Sequence, residues 1–316
     1  MNEIKAANEI KAMKKRNARL QNFTHTFKLF LSNRIAFIGF IITAIYFGLA
    51  LLDFIYPRWL GVSNINSSLS FIANQRANSL LPTPPDFSGS WWYYLGTTQS
   101  RIPLLPVIFA ALKIDLGYSI LIVMIGMGSG VLIGSFAGFI GGYFDEFVMR
   151  LTDIFFSLPF LVFAITITFV LGLTLTNIVI ALIIIWWPTY ARLTRGLALQ
   201  TKALKYVEAA QAAGSSRIKT VFSHIMPNVL SPVYVQISLD LGSIIQIFAA
   251  LDFLGFNQGN PYLPEIGNLI YMGQNYLASG IWWPIVIPGV FLLIFTISIN
   301  LMGDGLRDVL DPKLRR

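Results

Sequence analysis

Along the chain, apolar residues come in six long blocks separated by polar connections, at residues 35–56, 118–140, 154–171, 177–188, 229–251 and 282–302. Strict alternation is absent from them, so they predict helices rather than half-buried strands. A helix needs about 20 mostly apolar residues to cross a hydrocarbon core of about 30 Å. Five blocks approach or meet that length. The fourth has a short apolar part ending at Pro188, so its helix must continue into "TYARL" or tilt. The expected fold is therefore all-α, a polytopic membrane protein of six transmembrane helices.

Composition agrees, with 55% hydrophobic and 12% charged residues against about 25% charged in an ordinary soluble domain. Charge then sets orientation, because short loops rich in Lys and Arg stay on the cytoplasmic side. With both termini inside, 19 of the 23 Lys and Arg residues fall on inner segments, and only Arg58, Arg76, Arg101 and Lys113 fall outside. The net charge of +8 is thus a topology signal, and no nucleic-acid partner is expected. Membrane lipid is the expected surroundings, and the localisation expected is the cell (plasma or inner) membrane.

The predicted organisation is a basic cytoplasmic arm at 1–34 and a transmembrane domain at 35–316. The arm repeats "NEIKA" at residues 2–6 and 8–12 and carries no short apolar stretch with a cleavage site, so the first span is the expected targeting signal. The transmembrane domain includes an outer segment at 57–117, an inner loop at 189–228 and a second outer loop at 252–281. The first outer segment holds "LPTPPDF" and "WWYY"; the second holds "FNQGNPYLPEIGN" without a Lys or Arg.

Enzymatic chemistry lacks its parts. The two histidines, His25 and His224, both fall in inner segments, so neither a zinc H-E-x-x-H nor a serine–histidine pair within the membrane can be assembled. There is no G-x-x-x-x-G-K-[ST] phosphate loop. Cysteine is absent, which removes thiolate sites, and no metal or cofactor is expected. The glycine run "GMGSGVLIGSFAGFIGG" reads as close helix packing.

The inner loop is the unusual feature. Within "YVEAAQAAGSSRIKTVFSHIMPN" at residues 206–228, the first half favours helix and Gly214 supplies a left-handed stop. Ser215 or Ser216 can cap a second short helix, and Pro227 is tolerated at the start of the next. Ala209, Ala210, Ala212 and Ala213 after Glu208 give a small-residue surface that a partner's groove can approach. Two short helices at an elbow, joined to two spans, make a lever for a cytoplasmic partner.

These residues resemble a known family. "EAAQAAG" followed by "IMP" looks like the EAA loop of permease subunits in ATP-binding-cassette importers. Further motifs are similar to the dipeptide/oligopeptide branch: "GGYFDEFVMRLTDIFFSLP" at 141–159, "YARLTRGLAL" at 190–199 and "NLMGDGLRDVLDPKL" at 300–314. "NRIAFIGF" at 33–40 resembles the opening of that branch's second permease. The resemblance implies an ATPase-coupling role for Tyr206, Glu208, Ala209, Ala210, Ala213, Gly214 and Pro227. It also implies three kinds of partner, a second homologous permease, two cytoplasmic ATPase subunits that carry the ATP hydrolysis and an extracellular solute-binding protein, and it assigns no catalytic residue to this chain. Peptide is the first cargo it suggests, with oligosaccharide or nickel as alternatives. Two departures lie on the outer or substrate side: Thr98 stands where the family has an acid, and Phe248 where a glutamate is common.

One acid falls inside a span. Asp240 would cost about 2.5–3.5 kcal/mol facing lipid at the bilayer centre, so it is expected to face inward. Gln236, Asp240 and Ser243 share one helical face, which makes them candidates for the translocation path. An ion-coupled secondary transporter built around Asp240, or a membrane anchor for a cytoplasmic enzyme, are the readings from other classes.

Overall fold

The computed structural model describes residues 30–55, 81–89, 91–98, 102–256 and 264–310. The basic arm up to residue 29, residues 56–80 of the first outer segment, "NQGNPYL" of the second and the last six residues lie outside the described residues.

Among the described residues the chain is helical, in the order α1 (Arg34–Ile55), α2 (Leu104–Ile140), α3 (Gly142–Ser157), α4 (Phe160–Leu171), α5 (Leu175–Lys202), α6 (Lys205–Ala212), α7 (Arg217–Thr220), a π turn (Val221–Ile225), α8 (Met226–Phe253), α9 (Ile266–Leu277) and α10 (Trp283–Leu310). Five helical stretches are long and apolar enough to cross a membrane, and six if α3 and α4 count as one broken span. The polytopic all-α expectation holds.

Several boundaries differ from the pattern reading, each for a local reason. The second helix starts at Leu104 instead of residue 118, so the last part of the predicted outer segment is helical. At 37 residues and 1.5 Å per residue it is about 56 Å long, far more than a bilayer core requires. The third span is not continuous. The residue before a proline is driven out of the α region, and Leu158, preceding Pro159, is extended with φ −94° and ψ 138°. The chain bends there by 92° between α3 and α4. The fourth span does continue through Pro188 to Lys202. A further helix, α9, stands within the predicted second outer loop.

Starts and stops follow capping rules. The Asn33 side chain accepts from the backbone N–H groups of Ile35 and Ala36 at 3.2 and 3.3 Å, opening α1. Thr174 accepts from the Asn177 N–H to open α5. After α8 the Phe256 N–H bonds the Leu251 carbonyl at 3.1 Å and Gly255 takes φ +83°, the glycine stop of a Schellman turn.

Two apolar clusters hold the bundle. One gathers α2, α5 and α8 with α6, through Ile122, Leu182, Tyr190, Val207, Ile225 and Val229. The other joins α1, the N-terminal part of α2, α9 and α10, through Tyr46, Ile108, Ile266 and Phe295. The α2–α5 contact explains the glycine run: Gly126, Gly130, Gly134 and Gly138 recur every fourth residue and meet Trp186, Tyr190, Ala191, Thr194 and Ala198. A β-carbon at Gly130 would stand 2.5 Å from the Trp187 carbonyl oxygen, and one at Gly138 2.6 Å from that of Arg195. The small residues serve backbone approach, as read from their spacing.

Candidate coupling elbow and translocation face

The loop at 203–228 folds into an elbow whose parts are fixed locally. Helix α6 ends in a complete Schellman turn: the Ser215 N–H bonds the Ala210 carbonyl at 3.1 Å, the Gly214 N–H bonds that of Gln211 at 2.9 Å, and Gly214 sits at φ +83°. Only glycine takes that conformation without cost, since the β-carbon of other L-residues crowds the following carbonyl. Ser216 then caps α7, its hydroxyl accepting from the Lys219 N–H at 3.3 Å. On α6 the Val207 side chain is fully buried in the bundle. Glu208, Ala209 and Ala213 are exposed, Ala210 is half-buried, and Tyr206, Gly214 and Pro227 are exposed. One apolar anchor thus faces in, and a surface of small side chains faces out.

The elbow is also tied across its ends. Asn228 Nδ2 donates to the Tyr206 hydroxyl at 2.9 Å and to the His224 carbonyl at 2.6 Å. The Tyr206 and His224 rings stand edge to face with centroids 6.2 Å apart.

Below the elbow, ion pairs join two segments that sequence reading took as separate motifs. Arg195 grips Asp145 with two hydrogen bonds, Nε to Oδ1 at 2.9 Å and Nη2 to Oδ2 at 2.7 Å. Arg192 reaches Asp153 at 2.6 Å and lies 4.3 Å over the Phe156 ring. Lys202 Nζ donates to the Phe139 carbonyl at 2.7 Å, near the end of α2. Asp145 and Asp153 are therefore clamped to the C-terminal half of α5, the helix that leads into α6.

On α8, Asp240 is buried and its two oxygens are engaged separately. The Trp186 indole N–H donates to Oδ2 at 2.8 Å, and Gln236 Nε2 donates to Oδ1 at 2.7 Å. Both contacts stay within the chain: the Trp186 bond links α8 to α5, and the Gln236 bond spans one turn of α8 itself. Gln236 and Ser243 lie on the same face and are half-buried; the Ser243 hydroxyl donates to the Leu239 carbonyl at 3.2 Å. Phe248, the second departure from the family pattern, is fully buried with its ring 6.1 Å from that of Tyr118.

Comparison with known proteins decides the family. A model of the binding-protein-dependent transport system inner membrane component matches residues 130–316, which include the elbow, the clamped arginines and α8. The chain belongs to this permease family. Its relatives include the di/tripeptide transport system permease protein DppC of Pseudomonas aeruginosa, 36% identical over 77% of this chain and 80% of that protein. The probable D,D-dipeptide transport system permease protein DdpC of Escherichia coli is 35% identical over 86% of each. The glutathione transport system permease protein GsiD of Pectobacterium atrosepticum is 33% identical over 71% of this chain and 73% of that protein. The chain is accordingly a transport component and a multi-pass protein of the inner membrane.

In this permease the described part of the outer segment is a built structure, not a tether. The Thr97 hydroxyl accepts from the Thr83 N–H at 2.8 Å, and the Thr97 carbonyl accepts from the Trp283 indole at 3.3 Å. Gly96, at φ +78°, lets the chain pass close to the Thr83 carbonyl and the Trp283 ring. Above this anchor Trp91 stacks on Trp92 with centroids 3.8 Å apart, and Phe87 lies 5.4 Å from Tyr94. Asp86 takes the Ser88 hydroxyl at 2.6 Å and its N–H at 2.8 Å, and these bonds hold its carboxyl below the usual range. Thr98, standing where the family acid is expected, uses its N–H to bond the Ile102 carbonyl at 2.8 Å.

Sequence reading missed Asn228 and His224 as partners of Tyr206, and it missed the acid–arginine pairing. The signal for the second was present: two acids eight residues apart in one quoted motif and two arginines three apart in another. Only packing of α3 on α5 could join them.

Proposed function

We propose that this permease forms one half of the translocation path of an ATP-binding-cassette importer and is driven by two separate ATPase subunits docking on α6. Both termini are cytoplasmic in this reading, an extracellular binding protein delivers cargo to the outer segment around Trp91–Tyr93, and ATP hydrolysis resides on the ATPases. The carrying observation is the elbow: an eight-residue helix with its small-residue face outward and its end fixed by Gly214, lying within the matched family region. The basic residues on the predicted inner segments support the orientation. Pairing with a second, similar permease would place the half-buried polar edge formed by Gln236 and Ser243 along a shared, water-accessible path, away from lipid. Asp240, bonded within the chain, holds that edge in register.

Peptide is the cargo best supported, since relatives named for di/tripeptide, D,D-dipeptide and glutathione transport are 33–36% identical to this chain over 71–86% of its length. No relative named here favours oligosaccharide, nickel or ion-coupled transport. Gentle purification of the tagged chain from its own membranes tests the reading. A second permease and ATPases should accompany it, and uptake of a labelled dipeptide should fail when the chain is removed. A chain that purifies alone and transports without ATP would overturn the proposal.

A further inference from the structure

Between α7 and α8 the backbone makes one π turn, Val221–Ile225, in which the Met226 N–H bonds the Val221 carbonyl five residues back. Such turns are rare, and they occur mostly as single bulges at functional positions. Here the cause is local. Pro227 has no N–H, and in a regular α-helix its ring collides with the carbonyl four residues back, that of Ser223. The turn breaks the regular helical ladder between elbow and span, with the Val221 and Ile225 side chains fully buried.

Along the chain, α6 connects to α8 through α7 and this turn. The structure offers a shorter route. Asn228, in the first turn of α8, donates to the Tyr206 hydroxyl on α6 at 2.9 Å and, through the same nitrogen, to the His224 carbonyl inside the π turn at 2.6 Å. Val207 on α6 is fully buried in the apolar cluster that contains Val221, Ile225 and Val229. The Asn228–Tyr206 bond thus links α6 directly to the start of α8, beside the apolar cluster that Val207 and Val229 both enter.

We infer that Asn228 and the Tyr206 hydroxyl form a clasp that makes α6 and the first turns of α8 move as one body, so that motion at the docking helix reaches the translocation face carrying Gln236 and Ser243. Asn228 is a positioning residue in this scheme, and His224 contributes its carbonyl and its ring edge. The inference rests on the docking role proposed for α6. The clasp itself is a property of this chain alone, so the two can fail separately.

The chain has no cysteine, so paired spin labels can be placed without removing native thiols. Lys205→Cys on α6 and Ser231→Cys on α8, both exposed, are labelled in the complete importer in lipid, and their separation is read by pulsed dipolar spectroscopy without nucleotide and after trapping with ATP and vanadate. The expected result is one narrow distance that shifts by less than its own width between the two states. Tyr206→Phe, which keeps the ring and removes only the hydroxyl, should broaden it, as should Asn228→Leu. The double variant should be no broader than Asn228→Leu alone, because that substitution already removes the bond to the Tyr206 hydroxyl. A distance that shifts beyond its width on trapping, wild-type widths in Tyr206→Phe, or broadening that adds in the double variant would each overturn the clasp. ATPases absent from the purified importer would instead overturn the docking role, and the effect of Tyr206→Phe on the distance in the chain alone would still decide the clasp.

Discussion

Gly214 offers the cleanest perturbation of the elbow. A β-carbon added there meets no atom within 4 Å, so substitution tests the backbone alone and not packing. The φ of +83° places an L-residue in the left-handed region, at a cost of about 1–2 kcal/mol, and asparagine tolerates it better because its side chain can bond locally. A β-branched side chain tolerates it least. That cost falls on a helix of eight residues, too short to be stable by itself and held by little besides Val207 and the Tyr206–Asn228 bond. If ATPases bind only the closed elbow, their affinity falls with its population, and 1–2 kcal/mol corresponds to at most a 5–30-fold loss. The expected order of ATPase affinity for the chain in nanodiscs is Gly, then Asn, then Ala, then Val, with the membrane level of the protein unchanged. Equal affinity for Gly214→Val and Gly214→Asn would refute the reasoning, since the elbow's left-handed stop would then have no part in docking.

Arg195→Ala should lower the melting temperature of the detergent-solubilised chain by removing about 1–2 kcal/mol from a partly buried two-bond pair, and the exchange Asp145→Arg with Arg195→Asp should recover part of it. Asp240→Leu leaves the Trp186 indole N–H without its acceptor and should cost about 1–3 kcal/mol of stability, whereas Asp240→Asn should cost less, measured by the same melting assay. Cysteines at Gln236 and Ser243 should react with water-borne thiol reagents, and the reactivity should change when the ATPases bind ATP; protection in every nucleotide state would place that edge against lipid or protein.

What the sequence revealed and what it hid divide along physical lines. The elbow was legible because every determinant is local: helix-favouring residues, Gly214 for a positive φ and Ser216 for a cap lie within a dozen positions. Five of the spans were legible from length and apolarity. The early start of α2 was not, since Lys113 and Asp115 made residues 104–117 look like a connection. The buried Asp115 side chain accepts from the Ile266 N–H at 3.2 Å, 151 residues away. Helix α9 was hidden by Gly267 and Gly273, which disfavour a helix in isolation. Both are needed for close approach, Gly267 to the backbone of Ala249 and Gly273 to that of Pro284. The Asp145–Arg195 and Asp153–Arg192 pairs span 50 and 39 residues, beyond any local pattern.

The central claim is that α6 is the surface on which an ATPase docks. A photoreactive amino acid at Ala210, introduced into the chain in its own membranes and activated by light, tests it most directly. The account predicts a crosslink, identified by mass spectrometry, to a cytoplasmic ATPase subunit, and none from the same probe at Ile45 on α1. Capture of lipid alone at Ala210, with the importer's other subunits present in the membrane, would contradict it.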